Sequence, residues 1–262
     1  MGAPHRFHGF IAELAHHAGI DSLCTQSVGM RVLSVDYRLA PEFSILHAVC
    51  KMILGSPSQV EDALMSYHYL TTTVGSAYFR RHVLLGMNPQ DIWVSGDSAG
   101  GGLALLLLQS LRSLKLPMPA GAVLFSPWTD LAFTVTGRHS HPMIHSSHVT
   151  TCCGLTWLRS LLAWLSHMVI QIPMTAIGIS PVDPRVSPLY GAFDKLPPML
   201  LVAGGNELIA DDSTRVAAKA KAAGVQVALE IYPHMQHNFP FYYNFIPEAN
   251  AALGSMQVNP QY

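Results

Sequence analysis

The sequence predicts an α/β fold, a mainly parallel sheet with flanking helices and a helical cap, and three observations point there. Short apolar runs rich in β-branched residues alternate with longer segments of helical periodicity. Half of the 262 residues are apolar and 12% are charged, against a usual charged share of about 25%. That balance fills a core and excludes a disordered chain. The length suits one large domain over 1–262, able to bury roughly 70–75% of its unfolded surface.

The elements follow in order. Phe7, Phe10, Ile11 and Leu14 recur at helical spacing within 5–18, and Gly19 closes that helix. Val32 to Tyr37 reads as a buried strand and Val60 to Thr72 as a helix. Asp91 to Ser95 is the next strand, then a strongly apolar helix from Ala99 to Leu114, ended by Pro117. Ala120 to Ser126 and Met199 to Ala203 are strands, with a helix from about Asp212 to Ala223 stopped by Gly224. Val225 to Tyr232 is the last strand and Pro247 to Leu253 a terminal helix. Two stretches break the rhythm. Residues 43–58 look inserted, and residues 131–190 form an excursion with its own helix, long enough to be a cap or lid.

Charge and cysteine usage narrow the function. Fifteen basic and 16 acidic residues leave a formal net charge of −1, so nucleic acid is not an expected partner. Four cysteines (Cys24, Cys50, Cys152, Cys153) are too few for a disulfide scaffold, and no secretory signal precedes the fold, so a reducing, cytoplasmic setting is expected. A mean hydropathy of +0.28 is high and predicts poor solubility or a membrane-facing patch. The candidate for that patch is Cys152 to Ile172. Arg159 and His167 would be costly inside a bilayer, so the segment reads as an amphipathic cap helix, with contact to a lipid surface as the second option. The run His139, His141, His145, His148 and Cys152 is dense in metal ligands but lacks tight spacing, and no metal or other cofactor is expected.

The chemistry is concentrated in Gly96-Asp97-Ser98-Ala99-Gly100-Gly101, a G-x-S-x-G directly after one strand and directly before a helix. The flanking glycines permit a strained turn that lifts the Ser98 hydroxyl above the sheet edge, at a helix N-terminus where a developing anion is favoured. A serine needs a base to take its proton and a carboxylate to orient that base, and in such folds acid and then histidine follow the serine. Two histidines lie beyond the last strand, His234 and His237. In the loop after Met199 to Ala203, Glu207, Asp211 and Asp212 compete for the acid. Asp211 and Asp212 stand where a helix begins and can serve as caps, whereas Glu207 comes sooner after the strand and is preferred.

Asp36-Tyr37-Arg38-Leu39-Ala40-Pro41-Glu42, then GDSAGG at 96–101, then the GGNELIADD and HMQHNF segments, resemble the hormone-sensitive-lipase-like carboxylesterases of the α/β-hydrolase fold. The likeness runs from about residue 5 to 245, with the two irregular stretches, 43–58 and 131–190, as exceptions. It implies Ser98 as nucleophile, His237 of the H-x-F segment as base, Glu207 at the acid position (commonly Asp in the family) and the Ala99 N–H as an oxyanion-hole donor. DYRLAPE is chiefly structural in that family. Its enzymes also carry an HGGG motif that supplies most of the oxyanion hole, and this chain has none, since His8-Gly9 lies inside a helical pattern. The expectation is a chain that starts just after the motif, lacking N-terminal strands. One of those lies in the family's sheet between Val32–Tyr37 and Asp91–Ser95. Two functions remain open: a serine carboxylesterase for small to medium acyl esters, weakened at its oxyanion hole, or a non-catalytic or truncated relative that only binds a ligand.

Overall fold

A computed structural model describes residues 33–37, 58–72, 86–134 and 179–255. Within them four strands, β1 (Trp93–Asp97), β2 (Gly121–Phe125), β3 (Met199–Gly204) and β4 (Val227–Tyr232), form one sheet in the order β1-β2-β3-β4. Every pairing is parallel. The helices are α1 (Ser58–Thr71), α2 (Ala99–Ser113), α3 (Ala210–Ala222) and α4 (Pro247–Gly254).

The two middle strands are apolar on both faces, as parallel strands covered on both sides must be. Their period of two divides the core. Ala122 and Leu124 of β2 with Met199 and Leu201 of β3 meet Leu105 and Leu108 of α2 and Val216, Ala217 and Ala220 of α3. Phe125 and Val202 belong to a second cluster with Phe239 and with Ala249, Ala252 and Leu253 of α4. A third cluster joins Val60, Leu64 and Tyr67 of α1 to Leu107 and Leu111 of α2. Gly224, at φ +80, ends the third helix in the left-handed conformation.

Four of the expected strands and four of the expected helices are therefore present, with ends displaced by one or two residues. The exception is Val32 to Tyr37. Residues 33–37 take no regular secondary structure, and Leu33 is 50% exposed rather than buried. A strand is held by ladder bonds to a neighbour, and no described residue pairs with this segment. The helix expected over 5–18, residues 43–57 of the expected insertion and residues 135–178 with the expected cap helix lie outside the described residues.

Both ends of the long excursion are built into the body. The Asp130 side chain is fully buried and accepts hydrogen bonds from the backbone of Ala132 and Thr134, the Thr134 and Tyr190 hydroxyls and Arg215. Asp212, which stands open to a capping role at its own helix, accepts from the backbone N–H groups of Thr129 and Asp130. The reason is location. The chain leaving β2 must satisfy its amides without a ladder, and a buried carboxylate at the start of α3 does so.

Candidate active site

One residue separates β1 from α2. Ser98 makes the turn at φ 52 and ψ −120, a strained conformation for a residue with a Cβ. Its own backbone holds it there: Ser98 N–H donates to the Phe125 carbonyl at 2.9 Å, and its carbonyl accepts from Gly102 and Trp128. The turn is so tight that a Cβ on Gly96 would strike the Gly100 carbonyl, which is why the motif opens with glycine. Ala99 begins the helix, and among the described residues nothing accepts from its N–H. That donor and the helix dipole both face the place where charge would build up beside Ser98.

The partners arrive on the loops after β3 and β4. These loops are bonded to one another: Gly205 N–H donates to the Tyr232 carbonyl at 2.8 Å and Asn206 N–H to the Met235 carbonyl at 3.0 Å. A side chain on Gly204 would run into the Met235 and Gln236 carbonyls, so the Gly204-Gly205 pair is what lets the two loops touch. Phe239, fully buried with its ring tilted against Tyr232 at 4.9 Å between centroids, pins the far end of the second loop into the core.

The result is a continuous hydrogen-bonded chain. Ser98 Oγ lies 2.9 Å from His237 Nε2, and His237 Nδ1 lies 2.7 Å from Glu207 Oε2. With the proton on Nδ1, the imidazole donates to Glu207 and accepts from Ser98. The Glu207 side chain is fully buried while that of His237 stays 39% exposed. The buried acid thus orients the base from one side, while part of the His237 ring stays exposed. Of the expected residues, Ser98, Ala99, Glu207 and His237 come together. His234 is exposed, at φ 66, and has no hydrogen bond to them, and Asp211 sits in the first turn of α3.

Three neighbours escaped the sequence reading. Asn238, left-handed at φ 55, donates through Nδ2 to Asp97 at 3.1 Å and through its backbone N–H to Ser126 Oγ at 3.3 Å. Burial pushes the Asp97 carboxyl up, against the opposing pull of His237 and of the Asn238 bond. Burial, and then the Asp97 charge, likewise raises the Tyr37 hydroxyl. Both Asp97 and Asn238 stand in the quoted motifs, but as residues flanking the nucleophile and base rather than as functional ones. The usable signal was the Asn itself, the side chain that tolerates positive φ best after glycine. Among the described residues no cluster of three or more metal-ligating side chains occurs and no helix is long and apolar enough to cross a membrane. The His139–Cys152 run and the cap helix lie outside those residues.

This sheet, elbow and pair of loops define a hydrolase-type α/β architecture, and comparison with known proteins gives the family. A model described as alpha/beta hydrolase fold matches residues 7–241. An esterase of Acinetobacter venetianus is 31% identical over 94% of this chain and 69% of its own length. An acetyl-hydrolase of Streptomyces hygroscopicus is 30% identical over 90% of this chain and 67% of its own. Among solved structures, an esterase from the bacterial hormone-sensitive lipase family superposes with a TM-score of 0.70 at 28% identity, covering 98% of this chain and 70% of that one. The chain belongs to the α/β-hydrolase fold family, on its hormone-sensitive-lipase-like carboxylesterase branch.

Proposed function

We propose that this protein is a serine carboxylic-ester hydrolase that works through an acyl-enzyme on small to medium acyl esters. The observation that carries the reading is the unbroken chain from Ser98 Oγ through the His237 ring to Glu207 Oε2. The esterase and acetyl-hydrolase names of the relatives agree with it.

Ser98 Oγ attacks the ester carbonyl as its proton passes to His237 Nε2. The buried Glu207 carboxylate holds the ring in the accepting tautomer and stabilises the imidazolium. The carbonyl oxygen takes up negative charge beside the Ala99 N–H, where the α2 dipole adds its field. Collapse of the tetrahedral adduct expels the alcohol, protonated by His237, and leaves Ser98 acylated. A water then gives its proton to His237 and attacks the acyl carbon, and the acid departs as Ser98 regains its proton.

Hydrolysis of p-nitrophenyl butyrate by the wild type and by Ser98→Ala tests the reading. Turnover that vanishes with the hydroxyl supports it, and equal rates overturn it. Labelling by a fluorophosphonate separates a working nucleophile from a protein that only binds: a folded sample that stays unlabelled at Ser98 favours the binding role.

A further inference from the structure

We propose that Asp97 and Asn238 form a clasp that positions the base against the nucleophile, a proposal that rests on the roles given above to Ser98 and His237. Asp97 immediately precedes Ser98, and Asn238 immediately follows His237. The two pairs are bonded side by side, Ser98 to His237 at 2.9 Å and Asp97 to Asn238 at 3.1 Å. The loop is already tied to the loop after β3 and pinned by Phe239, but a single side-chain bond to the turn sets the distance of His237 from Ser98 at one point only. Two at adjacent residues fix both distance and direction.

The backbone at 238 shows that the side chain is not incidental. Asn238 holds φ 55 and ψ 33, which glycine would adopt without strain. Glycine, however, offers nothing for Asp97 to accept. Asparagine tolerates the left-handed region and adds a donor. Its backbone N–H is tied down as well, to Ser126 Oγ, and Ser126 is itself at φ 43. The amide oxygen, Oδ1, is buried without a partner among the described residues, so the Nδ2 bond to Asp97 is what orients the group. A buried acceptor left unpaired is unfavourable. Its retention beside the reacting atoms fits a geometric task better than a contribution to stability. Asp97 accepts this bond, and its charge also acts on the His237 ring and the Tyr37 hydroxyl, so the carboxylate belongs electrostatically to the same cluster.

The experiment measures the second-order rate of fluorophosphonate labelling at Ser98, kcat and KM for p-nitrophenyl butyrate, and thermal unfolding, in the full chain. Asn238→Gly keeps the left-handed backbone and removes the clasp. Asp97→Ala removes the acceptor, and Asp97→Asn retains an acceptor oxygen. Misplacing reacting groups by about 1 Å costs up to 10²-fold, so Asn238→Gly and Asp97→Ala should each label roughly 10- to 100-fold more slowly, through kcat rather than KM. Their double variant should lose no more than either alone, and Asp97→Asn should stay within about threefold of wild type by keeping the bond. The clasp is overturned if the singles label at the wild-type rate, if their losses multiply, if Asp97→Asn falls as far as Asp97→Ala, or if lost activity merely follows lost folded protein. A wild type that neither labels nor turns over brings down the esterase reading and the clasp with it. A wild type that labels beside variants that label equally fast brings down the clasp alone.

Discussion

Replacing Glu207 by glutamine tests the catalytic geometry most sharply, because it changes charge and donor pattern at almost constant volume. The Glu207 side chain is fully buried and its Oε2 accepts from His237 Nδ1 at 2.7 Å, a length typical of a charge-assisted bond. A glutamine can meet Nδ1 in two ways. If its NH2 faces the ring, Nδ1 must accept, the ring proton moves to Nε2, and the proton of Ser98 has nowhere to go. If its carbonyl faces the ring, the tautomer survives but the imidazolium formed on attack loses its counter-charge. Either way the barrier rises by about 5.4 kcal/mol, or roughly 10⁴-fold at 1.36 kcal/mol per decade, the loss found when a triad carboxylate is neutralised.

Folding should move the other way. Glu207 Oε1 is buried with no partner among the described residues, so removing the charge relieves a desolvated group. We expect kcat for p-nitrophenyl butyrate to fall by 10³ or more with KM nearly unchanged and a melting temperature that holds or rises. Asp211→Asn, in the first turn of α3, is the matched control and should stay within threefold of wild type. A Glu207→Gln enzyme within threefold of wild type, or an Asp211→Asn enzyme that loses most activity, would refute the assignment of the acid.

Two further outcomes concern stability. Burial alone would raise the Asp130 carboxyl, but the bonds from Thr134, Arg215 and Tyr190 outweigh it and hold it below the usual carboxylate range. Its stabilising contribution is therefore present above about pH 4 and is lost as pH falls through the lowered value. Asp130→Ala, which strands Arg215 and two backbone amides, should cost about 3–5 kcal/mol at pH 7 in urea unfolding, with a smaller difference at pH 3; a loss below 1 kcal/mol at pH 7 would contradict the network. At the alkaline end, burial pushes the hydroxyls of Tyr67 and Tyr232 up to about 12, the latter helped by its bond to Glu230. Raised values favour the folded state below the unfolded value near 10, so unfolding free energy should decline between pH 10 and 12, and Tyr67→Phe should flatten that decline.

What could be read from the sequence divides along one physical line. Elements whose stability comes from their own pattern were legible. The β2 and β3 runs, apolar on both faces, and the apolar α2 could be placed before any coordinates, as could the serine on the bend between β1 and α2. Residues 33–37 were not, because VLSVDY has the composition of a strand while a strand exists only through a neighbour's ladder. Composition speaks to the first condition and is silent on the second.

The site divides the same way. Glu207 and His237 were reachable because each stands a fixed few residues after a strand's carboxyl end, where parallel topology brings loops together. Their mutual bond depends on something the order of residues does not express: the loop after β3 must run beneath the carbonyls of Met235 and Gln236, which only a glycine at 204 permits. Asp97 and Asn238 show this more strongly. Each is unremarked within its own motif, 141 positions apart in the chain, and becomes meaningful only when the turn at Ser98 and the bend at His237 are superimposed in space. Chemistry that acts through a single residue type can be found by searching for that type. Chemistry that acts by holding two segments in register is invisible until their backbones are known, and in this protein the precision of the Ser98–His237 contact belongs to the second kind.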